Sequence, residues 1–225
     1  MIKRIKLADR ELPKYTKGEE IFNMVSHIVG VPLGIVAIVL CVITAAIHGN
    51  PAGVVSASIY GTTMILLYTM SSIYHGLSPK LKGKKVMQVI DHCSVFLLIA
   101  GSYTPFALCT LREYDPATGW IIFGVVWAFA ILGIVLNSID LKKYRVFSMI
   151  CYLAMGWCII FKINVLPSLI TMNGFVLLLA GGIVYTIGAI LYGLGRKIKY
   201  MHSIFHFCIL IASILQFFCI LFYVM

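Results

Sequence analysis

Apolar residues run in long unbroken blocks along this chain and do not alternate with polar ones. Alternation would mark strands buried on one face. Continuous apolar runs of about 20 residues are what a helix needs to cross a bilayer's hydrocarbon, where every backbone polar group must be satisfied within the structure. Seven runs read as membrane-spanning helices, over residues 21–47, 54–77, 86–109, 118–139, 146–166, 170–194 and 201–225. Turn chemistry separates them, in stretches such as HGNPAG, LSPKLKGKK and YDPATG. The tightest connection is the fifth, where Lys162 to Gly174 must hold a span end, a turn and a span start. The pattern predicts an all-α integral membrane protein: a basic tail over residues 1–20, then one seven-helix transmembrane bundle over 21–225.

Composition agrees. Of 225 residues, 61% are hydrophobic, and the mean hydropathy of +0.99 lies far above soluble averages. The net charge of +10 is not a nucleic-acid footprint, because sixteen of the 18 Lys and Arg fall on one side of the predicted spans. They are Lys3, Arg4, Lys6, Arg10, Lys14 and Lys17 ahead of the first span, Lys80, Lys82, Lys84 and Lys85 after the second, Lys142, Lys143 and Arg145 after the fourth, and Arg196, Lys197 and Lys199 after the sixth. Only Arg112 and Lys162 fall on the other. The positive-inside rule then puts the N-terminus in the cytoplasm and, after seven crossings, the C-terminus outside. The basic face would also attract anionic inner-leaflet lipids. The first 20 residues have no apolar core of their own, so no cleavable signal is expected and the first span serves for insertion.

The seven cysteines lie in or beside apolar runs without CxxC spacing and read as small packing residues. Gly30 and Gly34, four apart, suggest a close helix contact, and Tyr114 with Trp120 read as anchors at the outer interface.

With this topology the polar residues of the spans converge. Glu20, Asn23 and His27 open the first span, His75 closes the second, Asp91 and His92 open the third, and His202 and His206 open the seventh, all at the inner leaflet. Only His48 of the six histidines maps to the outer side. Ser71 and His75 are four apart, as are His202 and His206, so each pair shares a helix face. Asp91, Ser94 and Ser102 lie on one stripe, and His202 and His206 continue toward Ser213 and Gln216. Ionisable groups within spans are costly and usually face the bundle interior, so these stripes predict a polar cavity open toward the cytoplasm.

The donor set suggests a metal. Three neutral imidazoles with an open fourth position are the arrangement of catalytic zinc, and His75, His202 and His206 supply that number. Zinc lowers the pKa of water toward about 7. Asp91 is then the expected general base and later acid, and Ser71 would orient an imidazole or the water, or polarise a carbonyl. His27 and His92 are not needed to complete a metal shell, and Glu20 reads as an interfacial cap.

The stretches EEIFNMVSHIVG (19–30), SSIYHG (71–76), IDHCSVFLLIAGSYTPF (90–106) and HSIFHF (202–207) resemble the hemolysin III family of bacterial membrane proteins, relatives of the progestin and adipoQ receptors and, more remotely, of the alkaline ceramidases. The resemblance implies a seven-helix fold in the bacterial plasma membrane, with a Zn2+ ion near the cytoplasmic face held by His75, His202 and His206, and with Asp91 and Ser71 around its water. It also implies a metal-dependent hydrolase of a lipid amide or ester, connected with membrane lipid homeostasis and with membrane lipid as partner. The family name raises an alternative, a pore-forming cytolysin. A zinc-braced lipid sensor without turnover is another. A haem-binding bundle suits the set less well, since two ligands on one helix turn fit a compact ion better.

Overall fold

A computed structural model of the chain describes residue 7, residues 10–195 and residues 198–225. Lys3, Arg4, Lys6, Arg196 and Lys197, used above for topology, lie outside the described residues. Among the described residues, seven helices are long and apolar enough to cross a membrane: α1 (Lys17–Ile47), α2 (Pro51–Gly76), α3 (Lys82–Tyr114), α4 (Pro116–Asp140), α5 (Arg145–Lys162), α6 (Thr171–Leu194) and α7 (Met201–Tyr223). The described residues contain no strand.

Local chemistry sets the helix ends. Thr16 caps α1 in a reciprocal box: its Oγ1 accepts from the Glu19 N–H, and its own N–H donates to Glu19 Oε2 at 2.8 Å. Asn50 and Asp115 cap α2 and α4, each followed by a proline at the first helical position. Two spans differ from expectation. α3 continues past Pro105 through a π-helical stretch, Phe106–Leu111, and so reaches Tyr114. α5 instead closes early in a 3-10 turn, Cys158–Lys162, and the tight fifth connection is resolved by a one-turn helix, Leu166–Leu169, before Thr171 at φ 60° starts α6.

Small residues let the helices approach. α1 packs on α2 and α7, α2 on α3, α3 on α4, and α6 on α7. A Cβ on Gly34 would lie 2.8 Å from the Ile65 side chain and 3.1 Å from its backbone nitrogen, and one on Gly30 would strike the Tyr68 ring. Gly101 meets Thr63, and Gly133 meets Phe96, in the same way. In a membrane, where apolar burial between helices gains little, such close packing is a main source of association. The buried face of α1 runs Glu19, Asn23, His27, Gly30, Gly34, Ala37, Cys41 and Ala45. It is polar at one end, small further along, and separated from an outward face of exposed Ile, Val and Leu. All seven cysteines are free.

Candidate metal centre and cavity

The polar ends of α1, α2 and α7 meet. His75, His202 and His206 are all buried, and one ligand atom from each lies within 4.8 Å of the others. Their ring centroids are 4.6 Å (His202–His206), 4.8 Å (His75–His206) and 5.6 Å (His75–His202) apart. Two ligands of one zinc ion stand at most about 4 Å apart, since each bond is about 2 Å, and the 4.8 Å spread of the three donors lies close to that limit. The three could hold a metal ion. His75 Nε2 is buried and has no hydrogen-bond partner, which suits a lone pair available to a cation.

Further groups fix the rings. His206 Nδ1 lies 2.8 Å from His27 Nε2, and His206 Nε2 lies 3.0 Å from His202 Nε2. When His206 donates its Nδ1–H to His27, its Nε2 lone pair is turned toward the cluster. His75 Nδ1 lies 2.7 Å from Glu20 Oε2. Lys84 Nζ donates to Glu20 Oε1 at 2.6 Å and to the Leu77 carbonyl at 2.9 Å. Tyr15, ahead of α1, stacks on His202 at 4.8 Å, and burial pushes its phenol well above the ordinary value. The N–H of Tyr200, at φ 65°, donates to Glu19 Oε1 at 2.7 Å, tying the α6–α7 turn to the start of α1.

Beside the imidazoles lies a cavity of about 170 Å3. Its polar end carries Ser71, Asp91, His92, His202 and His206, and its walls include Leu98, Ile99 and Phe106 of α3, Trp157 of α5, Ile163 just beyond it and Phe175 of α6. Lining residues extend from Asp91 to Phe106, a rise of about 22 Å along α3 at 1.5 Å per residue. Ser71 Oγ is buried with no partner. Ser102, Tyr185, Thr186 and Gln216 are polar points along an otherwise apolar wall. His75 is not among the lining residues.

His92 stands apart from the three-imidazole group. Its Nδ1–H donates to the Gln88 carbonyl at 2.8 Å, and its Nε2 accepts from the Tyr192 hydroxyl at 3.1 Å. His48, at the opposite end, lies 3.0 Å from the Met225 carbonyl through Nδ1. Glu20 is not a helix cap; Glu19 takes that role. Lys84 was counted above only as a topology charge, yet it is 2% exposed, and no signal in a single sequence separates it from its exposed neighbours. His27 was legible as part of a stripe, but not as a neighbour of His206.

Comparison with known proteins follows the same outline. Residues 15–217 match the family described as Haemolysin-III related. The Hemolysin-3 of Bacillus cereus is 41% identical over 207 residues, covering 92% of this chain and 92% of that protein. The Hemolysin-3 homolog of Bacillus subtilis (strain 168) is 39% identical over 209 residues, covering 93% and 96%. More distantly, the monocyte to macrophage differentiation factor of Homo sapiens is 26% identical over 173 residues, covering 74% of this chain and 69% of that protein.

Proposed function

The chain belongs to the hemolysin III family of multi-pass membrane proteins, and from that premise we propose that it is a zinc-dependent hydrolase of a lipid amide or ester, serving membrane lipid homeostasis, with its basic end in the cytoplasm. One observation carries this reading: of three buried imidazoles with donor atoms within 4.8 Å of one another, His202 and His206 line a largely apolar cavity that Asp91 and Ser71 also line.

His75, His202 and His206 would hold the ion. When bound, zinc supplies Lewis acidity to water and to a carbonyl oxygen. The long apolar walls take an acyl chain and exclude bulk water, so the lipid's carbonyl end rests at the polar end beside Asp91. Asp91 accepts a proton as the oxygen of water bonds to the carbonyl carbon. It returns that proton to the leaving nitrogen or oxygen as the C–N or C–O bond breaks, giving a fatty acid and an amine or alcohol. Ser71, whose hydroxyl has no protein partner, is placed to donate to the carbonyl or to the water.

The test is metal content by elemental analysis of protein purified without chelator, together with fatty-acid release from N-acyl and ester lipids followed by mass spectrometry. Stoichiometric zinc is expected, lost in His202→Ala. Asp91→Ala should keep the metal and the fold while losing turnover by about 100-fold or more. Protein that neither carries nor takes up a divalent metal would end the reading. The name of the Bacillus cereus relative, Hemolysin-3, supports a second reading, membrane lysis. Dye leakage from pure liposomes that survives replacement of all three histidines would favour it.

A further inference from the structure

We propose that Glu20, held by Lys84, is a positioning residue for the metal centre: it fixes the ring and tautomer of His75 so that Nε2 is presented to the ion. This rests on the metal-site reading above. Three contacts carry it. Glu20 Oε2 lies 2.7 Å from His75 Nδ1, so the carboxylate takes the Nδ1–H and leaves the lone pair on Nε2. That Nε2 is buried without a hydrogen-bond partner. The other carboxylate oxygen, Oε1, takes a 2.6 Å hydrogen bond from Lys84 Nζ, which also reaches the Leu77 carbonyl at the end of α2.

One partly buried anion therefore joins the first turns of α1 and α3 to the last turn of α2. The lysine matters for two reasons. It balances the carboxylate's charge at a depth where an unpaired anion would be costly. It also fixes the carboxylate's orientation, because both oxygens then have fixed partners. A metal-ligating histidine whose other nitrogen is held by a carboxylate is a more basic, less mobile ligand, and loss of such support commonly lowers metal affinity by about 10–100-fold. Glu19, the adjacent buried carboxylate, bonds Thr16 and the Tyr200 N–H and touches none of the three imidazoles, so it is an internal control.

The experiment uses the full-length protein in detergent. Zn2+ affinity is measured by competition with a chromophoric chelator, and the Co2+ form is compared by its visible absorption. Glu20→Ala is expected to weaken Zn2+ binding by about 10–100-fold and to alter the Co2+ spectrum. Glu20→Gln, which keeps an oxygen acceptor for Nδ1–H, should recover part of that loss. Lys84→Met should fall between wild type and Glu20→Ala. Glu19→Gln should lower the metal-free Tm while leaving Zn2+ affinity within about twofold of wild type.

A purely structural role for Glu20 would lower the metal-free and metal-bound Tm of Glu20→Ala equally, with no change in affinity or spectrum, and would overturn the proposal. If wild type binds Zn2+, His75→Ala does not, and Glu20→Ala binds as wild type does, positioning by Glu20 fails while the metal site stands. If wild type itself binds no Zn2+ or Co2+, the metal-site reading fails first.

Discussion

Gly156 is the position at which the cavity can be narrowed with least disturbance, and Gly156→Leu is the sharpest test of an acyl chain in it. The residue lines the cavity, and a Cβ built there meets no atom within 4 Å. Its carbonyl accepts a 2.6 Å hydrogen bond from the Tyr103 hydroxyl, so the backbone is held in place from α3. A leucine would put four carbons into the space of the tail. If these displace about four methylenes of a bound chain at ~0.8 kcal/mol each, a long-chain lipid loses about 3 kcal/mol, or roughly 200-fold in affinity. A chain too short to reach this level loses nothing. The assay is displacement of a fluorescent fatty acid by lipids of graded chain length, which reads binding whether or not turnover occurs. The variant should match wild type for short chains and fall away beyond a threshold length. Equal affinity for long chains in both proteins would refute the placement of the tail, and equal weakening at all lengths would show that the variant disturbs the fold instead.

Metal removal should destabilise: exhaustive chelation is expected to lower the Tm, and restored zinc at a thousandfold excess over its Kd should return about 4 kcal/mol, followed by thermal unfolding in detergent. Thr16→Ala removes the α1 capping box and should cost about 1 kcal/mol of stability without changing Zn2+ affinity. Gly34→Leu forces α1 away from Ile65 and should cost about 1–3 kcal/mol or more, seen as a lower Tm and reduced yield of folded protein. Burial holds the Tyr15 phenol above its ordinary value of about 10, so the folded chain keeps a proton that the unfolded chain releases. The resulting stability is complete below about pH 10 and lost above it, and Tyr15→Phe should reduce that alkaline loss in a pH series of Tm values.

Much of this architecture was legible because a bilayer leaves few choices. Seven long apolar runs became seven helices of adequate length, and the Gly30/Gly34 spacing does mark a close contact of α1 with α2. Boundaries failed where the backbone left the α form. Neither the π stretch that carries α3 to Tyr114 nor the 3-10 turn that ends α5 at Lys162 changes the hydropathy, so nothing in the apolar pattern announces them. Helical periodicity put His202 and His206 on one face, and alternation of direction brought the ends of α1, α2 and α7 to one level. Periodicity cannot say which way α1 is rotated against α2, and that rotation turns Glu20 from an expected cap into a partner of His75. Lys84 was hidden for a related reason: its neighbour Lys82 is exposed and Lys85 only partly buried, and only the fold separates the buried one from them.

The energetics of the cluster explain why these particular side chains belong together. Four imidazoles, a carboxylate and an ammonium pack into the ends of four helices, α1, α2, α3 and α7, with little access to water. The carboxylate and ammonium satisfy each other, and His206 is satisfied on both nitrogens by His27 and His202. His27 Nδ1 and His75 Nε2 are left without partners, and of the two only His75 belongs to the candidate ligand set; burying such an orphan costs about 1–3 kcal/mol. A chain under selection for stability alone would relieve that cost by making residue 75 apolar, and would no longer need Glu20 or, behind it, Lys84. On the proposed reading the order runs the other way: the cation requires a bare Nε2, the bare Nε2 requires a proton fixed on Nδ1, and that proton requires a partly buried anion whose charge needs a lysine. Replacing His75 by Leu together with Glu20→Leu and Lys84→Met should therefore give a protein at least as stable as metal-free wild type and unable to bind zinc. A large loss of stability in that triple variant would show that the buried polar chain holds the helices together in its own right.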